Sequence, residues 1–139
     1  MTPEQTVLVQ RAFGRALRFK AHVAATFFNE LVAINPRIRA MFTGDINIQG
    51  QALISALGAI VDGLSQPESV LPHARELAIR HVALGVTPEH YNMFGLAVMR
   101  TLKHELGPDF TPEARDAWTA AYKFISDDMI AAANASQAA

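Results

Sequence analysis

No cysteine occurs in these 139 residues, so neither a disulfide framework nor a thiolate site is available. Basic residues are few and scattered. Twelve Lys+Arg against thirteen Asp+Glu leave a formal net charge of −1, with no cationic stripe that could track a phosphate backbone, and nucleic acid is excluded as the expected partner. The apolar runs stop well short of the ~20 residues a membrane span needs. The opening "MTPEQTVLVQ" lacks the basic-then-apolar order of a secretory leader. A soluble cytoplasmic protein is therefore the expectation. No internal repeat or low-complexity linker divides the chain, so 1–139 reads as a single domain, with residues 134–139 expected to fray.

What the sequence does contain is helical punctuation. Thr-Pro-Glu occurs at Thr2, Thr87 and Thr111. Each time a threonine precedes a proline suited to the first helical position, and an acid faces the positive helix end. Gln5 could close a capping box with Thr2. Asn35-Pro36 repeats the pattern before a short turn through Met41. Apolar spacing agrees: Val23, Phe27 and Leu31 share a face, as do Leu53, Leu57, Ile60 and Leu64, then Leu77, His81 and Leu84. Tyr91, Phe94, Val98 and Leu102 follow the same period, and so do Trp118, Tyr122, Ile125 and Met129. No alternating strand pattern is found. The spacing predicts an all-α fold of about seven helices, near 3–19, 20–34, 36–42, 49–64, 69–84, 88–106 and 112–133.

Chemistry is scarce. The histidines are His22, His73, His81, His90 and His104, with no HxxxH pair and no carboxylate–histidine cluster at zinc spacing. Neither a nucleophile elbow nor a phosphate-cradling glycine loop is present. Only His81 shares a face with apolar residues. Two readings fit it: a histidine packed in the core, or a metal ligand whose second ring nitrogen is fixed by a hydrogen bond. Periodicity does not choose between them.

The wider context does. "NPRIRAMF", "RHVALGVTPEHY" and "FTPEARDAWTAAY", in this order and at these separations, resemble the bacterial globins, both single-domain haemoglobins and the haem domain of flavohaemoglobins. The resemblance runs from about Gln5 to Met129. It implies a globin fold around a haem b pocket, with a short region between residues 43 and 48. His81 matches the proximal iron ligand. Phe42 matches the phenylalanine that stacks on the haem. Gln49, thirty-two residues before His81, falls at the distal position, with Gln51 as a fallback and Leu53 pressing on the ligand from one turn further on. Tyr91 matches a tyrosine beside the proximal histidine, and Val86 and Phe94 line the proximal side. Arg80 is placed to reach a haem propionate, or else is simply solvated. Trp118 and Tyr122 are assigned to the core between the last two helices.

Two positions depart from the pattern. Phe28 stands where relatives often carry a distal tyrosine. Ala133 stands near the place of a glutamate that, in flavohaemoglobin-like globins, pairs with the proximal histidine and tyrosine. Both departures lean toward reversible binding of oxygen, CO or NO, for transport or sensing, and away from nitric-oxide dioxygenation. That enzymatic alternative would use a separate reductase. A haem-free signalling module is the structural alternative, and an isologous homodimer is the oligomer expected if there is one. His73, His90 and His104 are read as polar-face residues, while His22 is the remaining candidate for entering the distal pocket.

Overall fold

The computed structural model describes residues 1–138. Six α-helices, and no strand among the described residues, follow in order: α1 Pro3–Ala16, α2 Lys20–Ile34, α3 Ile46–Asp62, α4 Pro67–Ala83, α5 Pro88–Leu106 and α6 Pro112–Ala138. The expected turn after Asn35-Pro36 is a 3-10 helix over Pro36–Met41, capped by the Asn35 side chain on the Arg37 amide. No helix among the described residues is long and apolar enough to cross a membrane.

All three Thr-Pro-Glu sites open helices. Thr2 and Gln5 form the reciprocal capping box at α1. Thr111 accepts the Ala114 amide at α6. At α5 the His90 ring completes the start: its Nδ1 accepts the Thr87 backbone N–H at 2.9 Å, a use that its place on a polar face did not reveal.

Helix boundaries shift where an unforeseen cap intervenes. Asp45 accepts the amides of Asn47 and Ile48, so α3 begins at Ile46 rather than 49, and Gln49 lies a turn inside it. Pro67 likewise sits in the first turn of α4, ahead of the expected 69. That helix ends at Ala83, and Leu84, expected on the His81 face, lies beyond the end and is 70% exposed. Gly85, at φ +82°, carries the chain through the left-handed turn into α5. α6 runs on past 133 to Ala138, and Ala139 lies outside the described residues.

The helices cross around one core. α4 and α1 pack on α6, while α2 packs on both α5 and α3. Small residues set the close approaches. Gly50 lies over Ala24 where α3 crosses α2. A Cβ built on Gly95 would fall 2.6 Å from the Tyr122 ring where α5 meets α6. Trp118, Leu31, Ile38, Leu102 and Val9 are fully buried. A cavity opens between α3 and α4, bordered also by α5 and α6.

Candidate functional site

The cavity is a cleft open to solvent and lined almost wholly by apolar side chains, the concave apolar form typical of small-molecule and cofactor sites. α3 supplies one wall through Leu53, Ile54, Ala56, Leu57, Ile60 and Val61, with Phe27 from α2 beside it. The opposite side carries Leu77 and His81 of α4, Tyr91, Phe94 and Val98 of α5, and Trp118, Tyr122, Ser126 and Met129 of α6. The i, i+3, i+4 spacing that buries each helix's apolar stripe is what turns these side chains into the same space.

His81 sits half-buried in the last turn of α4, among the lining residues. Burial, reinforced by the neighbouring Arg80 charge, pushes its pKa below the ordinary imidazole value of 6.5. The neutral ring that results is the form that ligates metal. Tyr91 is buried, and its hydroxyl finds no hydrogen-bond partner among the described residues. Tyr122 donates its hydroxyl to the Tyr91 carbonyl. Burial first, and the Tyr91 hydroxyl second, raise its pKa far above the usual phenol value.

Of the residues proposed from sequence, Leu53, His81, Tyr91 and Phe94 meet in this cavity. The others lie outside its lining. Phe28 and Phe42 pack edge-on against each other, ring centroids 5.4 Å apart. Gln49 is off the lining, its Nε2 donating to the Thr43 carbonyl and its Oε1 buried without a hydrogen-bond partner among the described residues. Gln51 is half-buried and also off the lining, Val86 packs against the core, and Arg80 is exposed. His22 does not enter: its Nε2 meets Glu105 at 3.1 Å across the α2–α5 contact. Ala133 is half-buried against the core.

Trp118 and Tyr122, read from sequence as core, pack there, Trp118 fully buried and Tyr122 against Gly95, and they also line the cavity, as do Ser126 and Met129. Their shared period was visible in the sequence. What it could not reveal is that part of this α6 face, besides packing on α1 and α4, borders an open space.

The donor set suits a particular kind of group. No cluster of three His, Cys, Asp or Glu that could hold a bare metal ion occurs among the described residues. One imidazole at the edge of an apolar cleft fits a metal that brings its other ligands with it, in a flat apolar carrier such as a porphyrin. The unpartnered Tyr91 hydroxyl is a polar group on the same side as His81.

Comparison with known proteins agrees with this fit. A globin family model matches residues 25–129. The chain is 30% identical over 133 residues to a flavohemoprotein of Bordetella parapertussis, covering 94% of this chain and 33% of that one. It is 29% identical, with the same coverage, to a flavohemoprotein of Deinococcus radiodurans. A flavohemoprotein of Vibrio cholerae is 30% identical over 108 residues, 75% of this chain and 27% of that one. The chain thus spans about a third of the length of the curated relatives it matches. It belongs to the globin family, whose members hold haem and bind diatomic gases through it.

Proposed function

We propose that the chain holds haem b in the cavity between α3 and α4, with His81 as its one protein ligand, and binds oxygen or another diatomic gas reversibly. The supporting observation is the single half-buried imidazole, biased toward its neutral form, at the edge of an otherwise apolar cleft. Haem, when bound, would supply an iron able to take up a gas. His81 would hold that iron to α4. Leu77, Phe94, Val98 and the α3 wall clasp the apolar macrocycle and exclude water. The Tyr91 hydroxyl, unpartnered in the same cavity, would be free to serve the imidazole once haem is held, a partner of the kind that metal-bound histidines ordinarily have. Arg80, exposed beside His81, is free to meet a propionate at the rim.

The relatives are named flavohemoproteins, proteins of flavin and haem together. From that name we infer that a flavin-bearing reductase, on the same polypeptide or separate, keeps the iron ferrous. The protein would serve as a gas carrier or sensor, with nitric-oxide dioxygenation as an activity such a reductase would permit.

The test is reconstitution with hemin. Wild type should take up one equivalent, show a Soret band, and shift that band on reduction under CO. His81→Ala should lose or weakly hold the haem, and added imidazole should partly restore the spectrum. A wild-type spectrum from His81→Ala would sink the ligand assignment.

A further inference from the structure

The polar atoms of the cavity all lie on one side. His81, Tyr91, Trp118, Tyr122 and Ser126 come from α4, α5 and α6. The facing wall, from Leu53 to Leu64 with Phe27, presents hydrocarbon only. Two positions near it that could have supplied a donor, Gln49 and Phe28, lie outside the lining. Gln49, one turn before Leu53, gives one of its two amide N–H groups to the Thr43 carbonyl, and Asp45 holds that first turn in place through two backbone amides. Phe28 has no hydroxyl, and its ring is engaged edge-on with Phe42.

We infer that the α3 wall forms a donor-free gas chamber, which selects ligands that stay uncharged and weakly polar when bound, nitric oxide and carbon monoxide, over dioxygen and over anions. The inference rests on the haem reading of the cavity. Its physical basis is the cost asymmetry of polar groups in apolar surroundings. A ligand that gains negative charge on binding a ferrous centre is stabilised by a nearby N–H or O–H. Without one it bears its desolvation uncompensated, as any buried polar group does. A ligand that stays neutral loses nothing against a wall of leucine and isoleucine. Gln49 then acts as a structural strut at the start of α3 rather than as a ligand contact.

The CO stretching frequency of the ferrous CO complex reads this directly, because it falls when a donor approaches the bound oxygen atom. Wild type and Gln49→Leu should share one band at the high frequency of an apolar pocket. Leu53→Gln, which sets an amide on the wall itself, should lower the frequency and raise the affinity for dioxygen relative to CO by roughly fivefold, the effect of one hydrogen bond. The ferric wild-type protein should also bind azide more weakly than the ferric Leu53→Gln variant does. A frequency that moves on Gln49→Leu would overturn the inference, since Gln49 would then reach the ligand. A Leu53→Gln protein with an intact Soret band and an unmoved frequency would overturn it as well, since the ligand would not lie against α3. Failure of the haem reading looks different: no Soret band forms at all, before any CO is added.

Discussion

At the scale of single residues, Tyr122 joins the two faces of the site. Its ring fills the space over Gly95, its hydroxyl serves the Tyr91 carbonyl, and one edge lines the cavity. Tyr122→Phe keeps the ring and removes the hydrogen bond, so it should cost about 1 kcal/mol in urea unfolding near pH 7. The pH dependence has a definite sign. Burial raises the Tyr122 pKa in the folded protein, whereas an unfolded tyrosine ionises near ~10. Above that pH the unfolded chain binds fewer protons than the folded one, so stability falls as pH rises. Tyr122→Phe should flatten this alkaline loss, leaving the smaller part that belongs to Tyr91, whose pKa burial also raises. An unchanged slope between pH 7 and 11 would show that the Tyr122 phenol does not carry it.

At the scale of helices, close approach and capping decide more than propensity. Gly95→Ala should raise helix propensity by about 1 kcal/mol in α5. The new methyl would meet the Tyr122 ring at 2.6 Å, and overpacking of this kind costs ~1–3 kcal/mol. The expected outcome is net destabilisation, seen as a lower urea midpoint. In a Tyr122→Ala background the same change should become stabilising, and a double-mutant cycle checks the reversal. At the start of α3, Asp45→Ala removes the cap on Asn47 and Ile48 and should cost about 1 kcal/mol. Hydrogen exchange should accelerate at those two amides first. Unaltered protection there would mean that the Gln49–Thr43 contact alone holds the turn.

At the scale of the whole molecule, the cavity is apolar surface left between α3 and α4. Haem should cover that surface, so folding and binding are linked. With free hemin at a thousandfold excess over its dissociation constant, mass action adds about 4.1 kcal/mol to stability. Thermal unfolding followed by circular dichroism should show a large rise in midpoint for wild type and little or none for His81→Ala. Equal rises would place the haem attachment elsewhere. The ion pair from Arg75 to Asp128, at 2.8 and 2.9 Å, fastens the His81-bearing helix to α6 at the surface, and its exposure makes it a minor contributor.

The sequence by itself determined the helical class, the main breaks and the one histidine with an inward face, because these rest on local physics. A cap acts within three residues and an apolar stripe repeats every three or four, so Thr2, Thr87 and Thr111 announce helices and Leu77 predicts the side on which His81 lies. The "VALGVTPEHY" stretch likewise carries its own turn in Gly85 and its own restart in Thr87-Pro88. Only the tertiary structure decided what those faces meet. The direction of the Gln49 side chain was open in the sequence, and the fold sets its Nε2 against the Thr43 carbonyl, outside the cavity lining. Trp118 and Tyr122 had a core period and pack accordingly, yet they also border a cavity, since whether part of an apolar face is left against open space depends on how helices distant in the chain pack. Helix formation is settled by neighbours in sequence; a site assembled from six helices is settled by packing, which no local pattern encodes.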